Sequence, residues 1–391
     1  MVNRNWRLPE GVDELLPPEA WSLEQIRRRV LDVFHTWGFE YVDPPVVEYL
    51  DSLLVGISED MDLQTLKAVD QRSGRMLGVR SDMTSQAVRI DAHSLAAEGV
   101  QRLCYAGNVV LANPVATLDS RVPLKAGAEL FGTTSVAADA EMVALMLEVL
   151  GSVGIADPIL VLGHMGIYHL LVDELSLSAN QEAELFLAVQ RKAEADIERI
   201  VASHPLDKIL ARLPGLMGES EVLTEARACF SDSDLAVTGP VLQAVDALEE
   251  LADLVRARCP GVRLRFDLAE LAGYGYHNGP VFSAYHADQG RALARGGRYD
   301  GIGAEFGRAR PATGFDLSLK ELLSPIKIQP GIWAPWCSDA GKAGALAEQV
   351  RLNRTAGEIV VAALSESDRP DPRCNRQFQE SAAGWSISEL Q

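Results

Sequence analysis

A long stretch without strand signals divides two strand-rich parts of this chain. Residues 177–258 are rich in Ala, Glu and Leu, poor in Gly, and follow a helical pattern. Strand-like segments precede this stretch, and others follow it at 262–270, 279–287 and 291–297. Regular alternation of strands and helices would instead favour a parallel βαβ sheet. The order therefore predicts an α+β domain on an antiparallel sheet, with a helical insertion at roughly 177–258.

The N-terminal part begins with an amphipathic helix. Ser22 and Gln25 form a capping-box pattern, which predicts that the helix starts at Ser22, and Gly38 predicts its end. A strand follows at 39–49, and Pro44–Pro45 interrupts it.

Polar side chains follow a short strand at 76–79. Asp82 and Thr84 lie in the turn after this strand, directly before another helical segment. Two further strand-like segments, 102–110 and 124–132, predict an antiparallel hairpin with a long irregular tip.

Composition excludes several classes of protein. The chain has 36 basic and 55 acidic residues, a net charge of −19, which counts against a polyanion such as tRNA as a partner. No apolar run is long enough for a transmembrane helix, and no signal peptide is recognisable. Five widely spaced cysteines suit the reducing cytoplasm and form no zinc pattern, and the histidines show no ligand spacing. We therefore expect no metal, no cofactor and no membrane contact.

The chain is expected to have two parts, 1–325 and 326–391. The second part contains a helical segment and the strand-like EIVVAAL, and it ends in a polar tail. This length allows one small α/β unit, a single βαβ crossover with a loose tail.

Five segments, in this order, resemble the motifs of class II aminoacyl-tRNA synthetases of the histidyl type. They are the opening helix and strand at 8–48, VRSDMTSQAVRI at 79–90, YAGNVV…AGAELFG at 105–132, GYGYHNGPVF at 273–282 and GGRYDG…RPATGF at 296–315. The resemblance covers nearly all of residues 1–325. It implies the class II antiparallel sheet of about six or seven strands flanked by helices, and dimerisation through the first motif.

The same resemblance predicts that the ATP chemistry is absent. Arginines of the family hold the phosphates of ATP and stabilise charge in the transition state. Their positions correspond to Leu111, Ala272 and Glu321 in this chain. Because losing one such donor typically costs about 10²–10³ in rate, an active synthetase is not expected.

The amino-acid end of the site resembles the family more closely. Asp82 and Thr84 stand where the family holds the histidine ammonium, and Glu129 stands where it reads the imidazole. Tyr276 and His277 correspond to the paired tyrosines of the specificity loop. Lys125 replaces a glutamine, which changes the local charge. Alternatively, the five candidates are inherited parts of the sheet that bind no ligand, namely Asp82, Thr84, Glu129, Tyr276 and His277.

A synthetase-like core without the ATP arginines looks like the regulatory subunit family of ATP phosphoribosyltransferase. The resemblance implies a non-catalytic subunit that joins the short-form catalytic subunit in a hetero-octamer. It would activate that subunit and convey histidine feedback on the first step of histidine biosynthesis. Two alternatives remain at this point. One is an active histidyl-tRNA synthetase, and the other is a stand-alone amino-acid sensor or a synthetase-like enzyme with another substrate.

Overall fold

The computed structural model of the chain describes residues 7–55, 59–113, 120–202, 204–231, 235–271, 275–288, 290–323, 329–382 and 384–390. The chain forms two compact units, Met1–Leu323 and Ser324–Gln391.

Strands of the first unit come from both sides of the helical insertion. They are β1 Glu40–Tyr41, β2 Val47–Tyr49, β3 Leu66–Val69, β4 Met76–Val79, β5 Gln101–Asn108, β6 Leu124–Phe131, β7 Ile159–His164, β8 Met217–Gly218, β9 Arg263–Asp267, β10 Pro280–Tyr285, β11 Ala292–Arg298 and β12 Ala312–Ser318.

The α-helices of the first unit lie mainly between β6 and β9. They are α1 Glu19–Thr36, α2 Leu50–Leu53, α3 Glu59–Gln64, α4 Thr84–Arg89, α5 Val136–Ser152, α6 Met165–Leu175, α7 Ala179–Gln190, α8 Glu194–Ile200, α9 Asp207–Arg212, α10 Glu221–Ser231, α11 Thr238–Arg258 and α12 Ile302–Glu305. A 3₁₀ turn, Leu319–Leu322, follows β12.

The large sheet has the order β1-β5-β6-β12-β11-β10-β7-β9-β8 within the described part of the chain. The central pairs from β5 to β7 are antiparallel, whereas β1 runs parallel to β5 and β9 parallel to β7. The α+β class and the return of the chain to the same sheet are confirmed. The sheet is wider than expected, because the two-residue strands β1 and β8 extend its two edges. A small second sheet has the order β2-β4-β3.

Helix α1 begins three residues before the predicted start. Its N-terminal flanking residue is Pro18, and the Ser22 hydroxyl donates to the Pro18 carbonyl at 3.1 Å from within the first turn. Ser22 is therefore not the N-cap, because its side chain satisfies a carbonyl instead of the free amides. The predicted apolar stripe does face the core, where Val30 and Phe34 are fully buried.

The segment between β7 and β9 is mainly helical. It contains α6 to α11, and α11 packs against α5, with Val245 and Leu248 buried in the core. It also supplies β8, which pairs with β9 at the sheet edge. This short strand has no sequence signal, because two residues are too few to show alternation.

The second unit is a small α/β sheet of its own. Its elements are β13 Gly331–Ala334, α13 Ala340–Thr355, β14 Val360–Ala362, β15 Cys374–Ser381 and β16 Gly384–Glu389. The β13-α13-β14 crossover joins parallel strands, as predicted. The prediction of a loose polar tail was wrong, because this segment forms the antiparallel pair β15–β16. Phe378 is buried in the core of the unit, and Trp385 packs against it, which anchors these otherwise polar strands.

Candidate functional site

Glycines on one face of the large sheet make room for larger polar side chains. Alternate residues share a face, so Lys125, Gly127 and Glu129 of β6 point to the same side. Gly127 lies opposite Tyr105 of β5, and a Cβ at Gly127 would lie 2.5 Å from the Tyr105 hydroxyl oxygen. Gly314 of β12 lies opposite Glu129. We call this side of β5, β6, β12 and β11 the site face.

Glu129 is the most deeply buried acid on the site face. Only 1% of the residue is exposed, and its carboxyl group accepts hydrogen bonds from the Tyr105 hydroxyl at 2.9 Å and the Tyr299 hydroxyl at 2.5 Å. Burial raises the pKa of Glu129 to about 8, although the two phenol hydrogen bonds oppose the shift. Glu129 is therefore mainly protonated at neutral pH.

A lysine lies between two carboxylates at the opening of the site face. Lys125 Nζ is 2.6 Å from Asp316 Oδ2 and 3.2 Å from Asp82 Oδ2. Burial opposes the ionisation of Asp82, but the Lys125 charge and the hydrogen bonds from Thr84 and Lys125 together outweigh it and lower the pKa of Asp82. Burial raises the pKa of Asp316, which Lys125 counters only in part. The three side chains form a charged cluster, Asp82–Lys125–Asp316.

Thr84 connects this cluster to the buried acid. The amide of Thr84, at the start of α4, donates to Asp82 Oδ1 at 2.7 Å and fixes the direction of the carboxylate. The Thr84 hydroxyl lies 3.3 Å from the Tyr105 hydroxyl, which in turn donates to Glu129. Asp82, Thr84 and Glu129, which the sequence predicted as site residues, thus lie on one hydrogen-bonded path.

Tyr276 and His277 are neighbours in the chain with different surroundings. The Tyr276 ring is 6.2 Å from the Tyr299 ring, centroid to centroid, and 42% of the residue is exposed. His277 is buried, its Nδ1 lies 3.2 Å from the Arg298 carbonyl oxygen, and burial lowers its pKa to about 4. The exposed Tyr276 ring can therefore pack over a ligand. The buried His277 ring instead makes a hydrogen bond to the backbone and stays neutral.

Each of the two units matches a family of known proteins. Residues 11–322 match the family model described as histidyl-tRNA synthetase, and residues 329–388 match that of the ATP phosphoribosyltransferase subunit HisZ C-terminal domain. Proteins named ATP phosphoribosyltransferase regulatory subunit are 43% identical in Teredinibacter turnerae and 45% in Azotobacter vinelandii, each over 98% of both chains. This chain belongs to the ATP phosphoribosyltransferase regulatory subunit family.

Solved structures agree with this assignment. An ATP phosphoribosyltransferase regulatory subunit/histidyl-tRNA synthetase from Bacillus halodurans has a TM-score of 0.79, at 26% identity over 92% of both chains. A histidyl-tRNA synthetase from Nostoc sp. shares the fold at 17% identity, with a TM-score of 0.79 over 99% of this chain and 95% of that one. The predicted resemblance of this chain to class II synthetases of the histidyl type is therefore confirmed.

The positions predicted to have lost arginines make other contacts. Leu111 lies beyond β5, and its backbone exchanges hydrogen bonds with Arg121, whose Nε donates to the Leu111 carbonyl at 2.9 Å. Glu321 lies in the 3₁₀ turn after β12, with its carboxylate 3.3 Å from Arg291 Nε. Ala272 lies outside the described residues. Neither described position carries a guanidinium that could hold a phosphate.

Sequence reasoning missed several members of the site. Asp316, Tyr105, Tyr299 and Arg295 lie on or against the site face, and Arg295 is the cross-strand neighbour of Asp316. A signal was present for Asp316, since an acid interrupts the otherwise uncharged strand ATGFDLS. Tyr105 and Tyr299 gave no local signal, because buried tyrosines are common in strands.

Two structural features, a metal-binding cluster and a membrane-spanning helix, are absent from the regions that the structure describes. No group of three or more His, Cys, Asp or Glu side chains there could hold a metal ion. In the same regions, no helix is both long and apolar enough to cross a membrane.

Proposed function

We propose that this chain is the regulatory subunit of an ATP phosphoribosyltransferase that activates the short-form catalytic subunit and conveys feedback by histidine. Membership of the regulatory subunit family supports this role, since relatives with that name match 98% of the chain. The proposed subunit has no synthetase activity of its own and acts in the cytoplasm. All five cysteines are free thiols, in keeping with a reducing compartment.

One observation carries the proposal, the contrast between the residues for the amino acid, which are kept, and those for ATP, which are replaced. At the amino-acid end, Asp82 and Glu129 are held in place by Thr84, Tyr105 and Tyr299, as a site for an ammonium and an imidazole requires. A protonated Glu129 can donate to an imidazole nitrogen, and ionised Asp82 attracts an ammonium.

At the ATP end, two positions where the family holds phosphate with arginine carry no guanidinium. Leu111 has an aliphatic side chain, and Glu321 places a carboxylate where a guanidinium would bind phosphate. Electrostatic stabilisation of the transition state is usually the largest contribution to such reactions, so these replacements remove most of it. A site that keeps its amino-acid end and lacks its ATP end fits a sensor rather than a synthetase.

Assembly is also part of the proposal. The chain would form a dimer through α1 and β1 and combine with catalytic subunits in a hetero-octamer. Strand β1 lies at an edge of the large sheet in the described part of the chain. Tyr41 of β1 and Trp21 of α1 are exposed in the single chain. Exposed aromatic side chains on the two elements of the first motif support a protein interface there.

A reconstitution assay tests the proposal. Purified chain added to a short-form phosphoribosyltransferase should raise its turnover and make it sensitive to histidine, with the two proteins co-eluting on size exclusion. Failure to form this complex would contradict the proposed role. Histidine-dependent pyrophosphate–ATP exchange should stay at background, and exchange above background would instead establish an active synthetase.

A further inference from the structure

Lys125 lies at a partly exposed part of the site face. The exposed side-chain fractions are 24% for Lys125, 15% for Asp82 and 27% for Asp316. An ammonium has three N–H donors. Among the described residues, Lys125 Nζ has hydrogen bonds to the two carboxylates only. One donor is therefore available to a group that enters from solvent.

The charges of the cluster suit a ligand that carries both signs. Asp82, Lys125 and Asp316 bring two carboxylates and one ammonium together, and Arg295, the cross-strand neighbour of Asp316, adds a further cation on the site face. A free α-amino acid carries an ammonium and a carboxylate on one carbon, so it needs an anion and a cation a few ångströms apart. Asp82 and Lys125 provide this pair, with 3.2 Å between Oδ2 and Nζ.

Asp316 positions the lysine. Lys125 Nζ lies closer to Asp316 than to Asp82, at 2.6 Å against 3.2 Å. The closer contact with Asp316 balances most of the lysine charge. The Asp82 carboxylate can therefore bind a second cation. Without Asp316, Lys125 would pair with Asp82 alone and would repel a ligand ammonium.

We propose that Lys125 binds the α-carboxylate of the ligand, so that the site selects a free α-amino acid over forms whose carboxyl group is an amide, an ester or an alcohol. The inference rests on the proposed histidine site and adds the group that the ligand must carry. Feedback would then respond to the free amino acid and ignore carboxyl-modified forms. Such selectivity follows from charge, since an amide or alcohol offers Lys125 only a neutral acceptor.

A different role for Lys125 predicts the opposite result. If its ammonium occupied the position of the ligand ammonium beside Asp82, Lys125 would compete with every amino acid and amine. Removing it would then tighten the binding of free and carboxyl-modified ligands alike.

Calorimetric titration of the full chain with L-histidine, L-histidine amide and L-histidinol separates these possibilities. We expect wild type to prefer histidine over the other two by roughly tenfold to a hundredfold, the range for one charged hydrogen bond. Lys125→Gln should weaken histidine by that factor, leave the amide unchanged and reduce the preference to less than about threefold. Lys125→Arg should retain the preference, because it keeps the cation.

The variant set guards against loss of folding. Lys125→Gln leaves Asp82 and Asp316 close together without a counter-ion, so Lys125→Gln/Asp316→Ala, which removes one charge of each sign, is measured beside it. Thermal unfolding establishes that each variant is folded. The double variant should bind the amide as wild type does and should likewise lack the preference for histidine.

Three results would overturn the inference. These are an unchanged preference in both Gln variants, tighter binding of all three ligands by Lys125→Gln, and no binding of histidine by wild type. Activation of the catalytic subunit, measured on the same wild-type preparation, is independent of these titrations. Normal activation with an unchanged preference would remove the role of Lys125 alone, whereas no activation would contradict the proposed function.

Discussion

A Cβ atom at Gly314 would lie 1.6 Å from Oε2 of Glu129. The two residues are directly opposed on β12 and β6, and the Glu129 carboxyl group lies over the Gly314 backbone because no side chain is present there. The glycine is thus part of the site, although it donates nothing to it. Tyr299 fixes the same carboxyl group from the far side, so it cannot simply turn away.

Gly314→Ala should displace Glu129 and break its hydrogen bonds to Tyr105 and Tyr299. Overpacking of this kind typically costs about 1–3 kcal/mol in the free energy of unfolding. Histidine affinity should fall by roughly tenfold or more, since one buried polar contact is lost. Gly151→Ala, in α5 with open space around it, is the matched control and should be neutral or slightly stabilising. Unchanged histidine binding in Gly314→Ala would argue against Glu129 as a ligand-binding residue.

Glu129 should make the stability of the protein depend on pH. Its pKa is raised from 4.5 to about 8 in the folded state, so between these values the folded chain holds a proton that the unfolded chain has released. The contribution of Glu129 is complete below about pH 4.5 and is lost as the pH rises towards 8, by up to about 1.4 kcal/mol per unit.

Urea unfolding of wild type and Glu129→Gln at several pH values measures this contribution. Gln cannot ionise, so the difference in the free energy of unfolding between the two proteins should shift against wild type as the pH rises. Glu250→Gln, at an exposed position of α11, is the control and should follow the wild-type profile. Parallel profiles for wild type and Glu129→Gln would mean that Glu129 is ionised across the range.

Local pattern was enough to predict much of the fold. The strand at 76–79 corresponds to β4, and the three strand-like segments after the insertion correspond to β9, β10 and β11. Each has several residues of clear alternation or apolar character. The predictions from sequence were wrong where tertiary contacts determine the local structure. The start of α1 is set by the chain entering through Pro18, and the polar strands β15 and β16 depend on Phe378 and Trp385 for anchoring.

The site was harder to predict than the fold. Asp82, Thr84 and Glu129 could be chosen by resemblance, but their connection runs through Tyr105. Tyr299, which also binds Glu129, lies 170 positions away in the sequence. The Lys125–Asp316 ion pair joins residues 191 positions apart. Such pairs are set by strand order and register, which sequence pattern alone does not specify.

The edge of the large sheet should form the dimer interface. Tyr41→Lys places a charge on β1 where an aromatic side chain is exposed, so we expect dimer affinity to fall by roughly tenfold or more. Sedimentation velocity over a concentration series measures this change. Leu187→Lys, at an exposed position of α7 away from β1, is the matched control and should remain dimeric. A fully dimeric Tyr41→Lys would place the interface elsewhere.

A buried ion pair links the region after α4 to the segment before β12. Arg310 Nη1 is 2.9 Å from Asp91 Oδ1, and both side chains are buried. Asp91→Ala leaves the Arg310 charge without its counter-ion, which typically costs about 3–5 kcal/mol in stability.

Arg227→Ala, which removes an exposed pairing with Asp246 and Glu249, is the comparison and should cost at most about 1 kcal/mol. Urea unfolding of both variants gives the two values. Equal losses would indicate that water enters the Asp91–Arg310 site and screens the charge.

Substitution of Asp82 should remove feedback by histidine and leave activation of the catalytic subunit intact. Asp82→Ala removes the carboxylate assigned to the ligand ammonium and lets Lys125 pair with Asp316 alone, so histidine binding should be lost while dimerisation persists. Glu129→Ala should behave in the same way. In the reconstituted enzyme, both variants should still raise the turnover of the catalytic subunit but should no longer confer inhibition by histidine. Asp253→Asn, an exposed acid on α11, is the control and should retain both effects. Full histidine inhibition with Asp82→Ala would locate the feedback site outside the site face.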